Sequence, residues 1–311
     1  MASVDVAIPC YQYGRFLRKC VTSILEQGID DLRVLIIDNA STDNSVEVAR
    51  QLAAEDRRIE IVARPQNLGH IASFNEGVEW TKADYFALVC ADDLLTPGSL
   101  QRAVSFMEQH PEVGFTIGKE ILFRDGEELP PAELSKDPEW HLFSGPEFVA
   151  DRCRKLFAGP TVVRTSVQRK AGCYRPELYF TCDIEMLLRL ATLGSVGETA
   201  ATQSYRRLHG ANLCDVHKID RARDLQEFEA AYISFFEHEG RSIVEWKQLK
   251  RLAMRHLCES AYWWGVRDLT KGRWRTGTKL LHFAFKRYPE LTVLPPLGYL
   301  FENQRFLHRA A

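Results

Sequence analysis

No two of the eight cysteines lie close enough in sequence to form a CxxC pair. They fall singly at positions 10, 20, 90, 153, 173, 182, 214 and 258. That scatter argues against structural zinc and against a disulfide framework. Several sit inside apolar runs and read as buried free thiols, which suits a reducing, cytoplasmic compartment. Long apolar runs are also missing. The most apolar stretch, 291–301 (LTVLPPLGYLF), is too short to span a bilayer and carries two prolines, so no integral membrane protein is expected. The opening MASVDVAIPC has no basic stretch followed by an apolar core, so no signal peptide is expected. Internal repeats and low-complexity tracts are absent. So is a GxGxxG after the first strand, which counts against a nicotinamide dehydrogenase.

What is present is a folded chain of 311 residues, 45% hydrophobic and 26% charged. It has room for one large domain or two ordinary ones. The net charge of −2 is unevenly spread. Residues 241–311 hold 14 Lys and Arg against 5 Asp and Glu, while the first 240 hold 26 against 37. An acidic body with a basic C-terminal quarter suggests two functional regions.

The first hundred residues alternate β-rich runs with helix-period segments. Strands are expected at Val4–Ile8, Arg33–Ile37, 59–62 and Tyr85–Val89, with helices at Arg15–Gln27, 43–56 and 70–82. Thr96-Pro97 reads as a helix start, Thr as the cap and Pro at the first helical position. This alternation predicts an α/β fold, a mostly parallel sheet with helices on both faces, whose ligands bind beyond the carboxyl ends of the strands. Further on, Val113–Ile117 and Glu120–Phe123 suggest two strands, and 124–141 a loop. From 219 the pattern is helical, at 219–239, 243–264 and 273–287. The division expected is 1–215 and 216–311.

Four constellations could carry chemistry. Asp38 in LIIDNASTDNS follows an apolar strand directly, where a ligand can reach it; Ser41, Thr42 and Asp43 could equally cap the next helix. In FALVCADDLLTPGSL, Asp92 and Asp93 at a strand end suit a hard divalent cation, Mg²⁺ or Mn²⁺, that also binds phosphate oxygens. One of them could instead cap a turn. In TCDIEMLLRLATLG, Asp183 stands at the start of an apolar helix, a position that also suits the helix dipole. Glu185 and Arg189, four apart, read as a surface ion pair. The last is YRRLHGANL, a basic loop bearing His209.

Taken in order and spacing, VAIPCYQYGRFLRKCVTSILEQ, VLIIDNASTDNS and RPQNLGHIASFNEGVEWTKADYFALVCADDLLTPGSL resemble the opening of glycosyltransferase family 2. The likeness continues through GPTVVRTSVQRKAGCYRPEL, TCDIEMLLRLATLGSVG and YRRLHGANL, covering about 1–213. It implies a GT-A fold in 1–215 and a C-terminal helical extension. It implies that Pro9, Tyr11, Asp38, Asn39 and Asn67 line the donor site with Asp92, Arg189 and His209. Asp92, Asp93 and His209 would hold a divalent cation, and Asp183 would be the general base of an inverting transfer. Three departures stand out: Cys90 in place of the first acid of the DxD signature, Asn39 in place of a second acid reading the base, and Cys182 before Asp183.

The expected partners are a nucleoside-diphosphate sugar, with UDP- or dTDP-sugars favoured, and a saccharide or lipid-linked acceptor; no nucleic acid is called for. Residues 241–311, basic and bearing Trp246, Trp263, Trp264 and Trp274, could touch the inner face of a membrane, or the tryptophans could simply pack the helices. A decayed nucleotide-sugar-binding module and a nucleotidyltransferase remain as alternatives. Against the second, IPCYQYGRF lacks a glycine- and lysine-rich phosphate loop.

Overall fold

Strand β1 (Ser3–Cys10) shows how the sequence dictates the architecture. Successive side chains alternate faces, so Val4, Val6 and Ile8 share one side and Ala7 lies on the other; all four are fully buried. A strand apolar on both faces must sit inside a sheet covered on both sides. In the computed structural model, which describes residues 2–135, 138–155, 159–212, 221–297 and 299, it does so. Strand β1 pairs in parallel with β2 (Asp31–Asp38) and β4 (Tyr85–Leu88), and β2 with β3 (Ile59–Ala63).

The crossovers are α1 (Gly14–Leu25), α2 (Ser45–Glu55) and α3 (His70–Trp80). Leu17, Ile24 and Leu52 from α1 and α2 join Leu100 and Val104 of α4 (Ser99–Gln109) over the Val4–Val6–Ile8 face. Val78 of α3 packs on the other face against Ala7, Ile37 and Phe86. Helix α3 can come this close because residue 77 is glycine: a Cβ there would lie 2.5 Å from that of Ala7. At the opposite end of β1 from the ligand edge, the fully buried Asp5 is neutralised by a two-pronged contact from Arg33, at 2.9 and 2.6 Å. The Thr81 hydroxyl and two backbone N–H groups also donate to it. A buried carboxylate is tolerable only with such full pairing.

Beyond β4 the sheet becomes mixed. Strand β8 (Thr161–Arg164) runs antiparallel between β4 and β6 (Val113–Arg124), and β6 is parallel to the long β9 (Ser195–Leu208). Two short strands, β5 (Leu94–Leu95) and β7 (Trp140–Phe143), pair antiparallel with β9. The order is β3-β2-β1-β4-β8-β6-β9-β5, with β7 on β9.

Two sequence expectations about these elements need correction. The two strands expected at 113–117 and 120–123 are one, since the register shifts around Gly118–Glu120 without the strand breaking. Gly118 permits this, because a Cβ there would lie 2.2 Å from Cγ of Gln203. Helix α4 starts at Ser99 behind a left-handed Gly98, not at Thr96-Pro97. Thr96 spends its hydroxyl on the carbonyl of Thr202 at 2.6 Å, a partner 106 residues away. The expectation that several cysteines are buried free thiols holds for Cys10, Cys20, Cys153, Cys182 and Cys258, while Cys90 and Cys173 fall in loops and are exposed; Cys214 lies outside the described residues.

The chain divides into two compact units. The first comprises 1–148, 158–177 and 186–210 and contains the whole sheet; the second comprises 149–157, 178–185 and 211–311. Within the second, α8 (Arg221–Glu237), α9 (Trp246–Thr270) and α10 (Trp274–Arg287) pack around Tyr232, Phe235, Leu257, Leu280 and Phe283. Trp263 donates its indole N–H to the carbonyl of Pro296 at 3.1 Å, and Arg221 stacks over Trp264. Trp274 stands exposed. No helix among the described residues is long and apolar enough to cross a membrane.

Candidate active site

The carboxyl ends of β1, β2 and β4 meet at one edge of the sheet. Cys10 is in register with Asp38, and the N–H of Ala91, just past β4, reaches the carbonyl of Pro9 at 3.3 Å. The chain leaves β1 and β2 through Gln12 and Ala40, two non-glycine residues in the left-handed region, with φ of 61° and 63°. Each such residue costs about 1–3 kcal/mol and persists only where its surroundings hold it. Here the two loops are laced together. The N–H of Gln12 donates to the Ser41 hydroxyl, its amide donates to Thr42, and its amide oxygen accepts from the N–H of Asp43. Asp43 in turn accepts from the N–H groups of Gly14 and Ser45 and from the Ser45 hydroxyl. Burial pushes its carboxyl up, but those hydrogen bonds outweigh it and leave it below the ordinary value. The Ser41–Thr42–Asp43 run therefore serves two helix starts, α1 and α2.

Asp38 is only 1% exposed. One carboxylate oxygen accepts the N–H of Ser41 at 2.9 Å; the other, Oδ1, is buried without a hydrogen-bond partner among the described residues. An orphaned buried acceptor costs about 1–3 kcal/mol, so this oxygen is suited to a ligand's N–H or O–H. Tyr11 is exposed and Pro9 half-buried at the same edge. Asn39 behaves differently. Its side-chain oxygen accepts from the N–H of Leu68 and from Arg64, and its NH₂ donates to Asn67 at 2.8 Å. Asn67 also accepts from the N–H of Gly69. With both lone pairs taken, Asn39 organises the loop before α3, together with Arg64, which is ion-paired to Glu76.

The acid turn follows β4. The Sγ of Cys90 and carboxylate oxygens of Asp92 and Asp93 all lie within 4.8 Å of one another. Burial, and then the negative charge of Asp92, push the Asp93 carboxyl well above the ordinary carboxylate value. Two carboxylates and a thiol so placed form a donor set that fits a divalent cation, and a cation would relieve that crowding of charge. His209 sits next to the donor set: its Nε2 is 3.1 Å from Oδ2 of Asp92, with Phe16 and Tyr13 against the ring.

Sequence reasoning passed over Arg207, two residues before His209. Its backbone N–H donates to Asp93, its Nε to the carbonyl of Asp92 at 3.0 Å, and its Nη1 to Asp125 at 3.0 Å. The guanidinium lies 4.6 Å from both the Phe16 and Phe123 rings. One residue thus fastens both members of the acid pair. Only its place in YRRLHGANL hinted at this.

Asp183 opens α7 (Cys182–Ala191) and belongs to the second unit. It is exposed, and its Oδ1 accepts the N–H of Ile184 at 2.8 Å. Beside it the Cys182 thiol is buried, which pushes its pKa up. The expected surface pair of Glu185 and Arg189 is corrected: both are buried, because α7 is enclosed on almost every side. Arg189 donates to the carbonyls of Ala171 and Cys173, holding the loop after α6 (Thr165–Ala171).

Residues 5–156 match the family model described as Glycosyl transferase family 2. An uncharacterized glycosyltransferase of Haemophilus influenzae is 23% identical over 248 residues, covering 75% of this chain and 74% of that protein. Several other curated relatives are matched over less than half of their length. Among solved structures, residues 1–349 of S. aureus TarS in complex with UDP-GlcNAc superpose with a TM-score of 0.64 at 12% identity, covering 83% of this chain and 71% of that one. The mannosyltransferase PcManGT of Pyrobaculum calidifontis, in complex with GDP-Man and Mn²⁺, gives 0.61 at 15% identity, covering 99% and 80%. At such identities the superpositions speak for the fold, which is GT-A. Residues 5–156, just under half of the chain, are thus similar to glycosyltransferase family 2, on a GT-A fold.

Proposed function

We propose that this chain moves a sugar from a pyrimidine nucleoside-diphosphate donor to a hydroxyl acceptor, a saccharide or a lipid-linked saccharide, with inversion. The observation that carries the donor reading is the orphaned Oδ1 of Asp38 at the same sheet edge as the acid turn. Uracil and thymine offer one N3–H donor, which matches one open acceptor. Guanine presents adjacent donors and would want a second, and Asn39 has none left to give. Tyr11 and Pro9 would flank the base. Asn67 and Arg189 would act on the donor at one remove, through the loops they hold.

A divalent cation held by Asp92 and Asp93, with Cys90 as a third donor, would supply Lewis-acid stabilisation of the leaving diphosphate. Within the chain, Arg207 and His209 keep those carboxylates in place. Asp183 would accept the proton of the acceptor hydroxyl as it attacks the anomeric carbon. A single displacement inverts that carbon, and alignment of donor and acceptor supplies much of the remaining rate.

Thermal shift tests the donor reading. UDP or dTDP with Mn²⁺, at 100 times its dissociation constant, should add about 2.7 kcal/mol of stability. Asp38→Asn should reduce that gain. Tighter binding of GDP than of either pyrimidine nucleotide overturns the base assignment. Failure of Mn²⁺ to strengthen nucleotide binding overturns the metal assignment.

A further inference from the structure

Helix α10 is amphipathic in an unusual way. Gly277, Leu280, Phe283 and Ala284 are buried on one side. On the other, Arg275, Lys279, His282 and Lys286 recur at i, i+4, i+7 and i+11 and are all exposed. That spacing lines them up in a single stripe along the helix. Lys271 and Arg273, just before the helix, are exposed too, and 271–289 contains no acidic residue. Arg287 lies off the stripe, ion-paired with Glu229. A solvated helix face laced by salt bridges alternates the signs of its charges. This one does not.

Large exposed apolar side chains also flank α10 in the chain. Trp274 is 68% exposed, and beyond the helix Val293, Leu294 and Leu297 are 80%, 72% and 58% exposed. Single exposed apolar residues mean little, but four flanking one basic helix in the chain are a pattern with a physical use. A polyanion such as a nucleic acid would use the charges and gain nothing from the aliphatic side chains. A bilayer with anionic headgroups uses both, the cations at the headgroups and Trp, Val and Leu at the acyl boundary. At 14 residues α10 is about 21 Å long, too short to span and long enough to lie in the interface.

We infer that α10 is a docking element that lays the second unit on an anionic bilayer surface. This surface chemistry adds to the proposed transfer the place where acceptor is met, and it stands independently of the donor site. Each basic residue brought to such a surface contributes about a fivefold gain in partitioning.

Flotation of the full chain with vesicles tests it. The protein should float with phosphatidylcholine vesicles containing phosphatidylglycerol, stay behind with phosphatidylcholine alone, and be released by high salt. Joint Arg275→Gln, Lys279→Gln and Lys286→Gln substitution should lower partitioning roughly a hundredfold. Trp274→Ala with Leu294→Ala should lower it as well. Donor hydrolysis in vesicle-free buffer should be the same in all variants, which shows that they fold. The proposal is overturned if the unaltered chain does not float with anionic vesicles, or if the triple variant floats equally well. It is also overturned if the Trp274 and Leu294 changes have no effect while an anionic polymer competes fully, since the stripe is then a general polyanion site. Flotation without any donor hydrolysis would count against the proposed transfer and leave the docking surface standing.

Discussion

At the scale of single residues, the strongest expectation concerns Asp183. It is exposed, so exchanging it for Asn disturbs little packing, yet it removes the basicity that an attacking hydroxyl requires. Turnover of Asp183→Asn should fall by at least about 10²-fold while donor affinity, read by calorimetric titration, stays within error of the parent. Near-normal turnover would assign the base to another residue. Arg207 belongs to the same scale. Arg207→Lys keeps a charge but loses the planar fork that bonds the Asp92 carbonyl and Asp125 together. Residues that orient metal ligands typically cost about 10–100-fold in metal affinity when changed, and that loss is expected here for Mn²⁺ in the presence of UDP. An unchanged Mn²⁺ affinity in a variant with normal melting would confine Arg207 to a packing role. The sequence offered Asp38, Asp92 and Asp183 because each follows a strand or opens a helix, and such positions are legible from pattern. Arg207 and the engaged amide of Asn39 were not legible, because what they do depends on partners 114 and 29 residues away.

At the scale of elements, period-2 and helical patterning located β1 to β4 and α1 to α3 to within a few residues. The pattern failed where a tertiary bond outbid local propensity, as at Thr96, or where a small residue let a strand bend without ending, as at Gly118. Helix α9 shows a third kind of illegible feature. His256 faces inward, only 5% exposed, with the Tyr299 ring 5.3 Å away. Burial, reinforced by the positive charge of Arg154, lowers its pKa from 6.5 to about 4. The sign follows from which state takes the proton. Above the unfolded value neither state is protonated and His256 costs nothing. Between 6.5 and about 4 only the unfolded chain binds the proton, so stability falls as pH falls. The slope expected is about 1.4 kcal/mol per pH unit, some 3 kcal/mol in all. His256→Gln should remove that component, checked by urea unfolding at about pH 7 and about pH 5. A parent whose stability is flat over this range would show that the histidine is not kept neutral.

At the scale of the whole molecule, the uneven charge seen in the sequence falls on the second unit, which holds residues 211–311 together with 149–157 and 178–185. Those two short segments have their partners late in the chain. The Tyr232 hydroxyl donates to the carbonyl of Arg152 at 2.7 Å, and the Thr181 hydroxyl to that of Glu227 at 3.0 Å. A protein ending at residue 215 should therefore be markedly less stable than the full chain, with 149–157 and 178–185 showing fast hydrogen exchange. Full protection of these segments in the shortened protein would show that the first 215 residues stand alone.

The same arrangement sets an order of events during synthesis. Arg152 leaves the ribosome 80 residues before Tyr232, and Thr181 leaves 46 before Glu227. At the usual ~5–20 residues per second, the first of these waits lasts roughly 4–16 seconds. The parallel strands β1 to β4, all encoded in the first 88 residues, can pair during that interval, whereas the turn carrying Asp183 cannot acquire its partners until α8 has emerged. On the proposed reading, a nascent chain would form the Asp38 edge of its donor site before it secures the helix start that carries the proposed base.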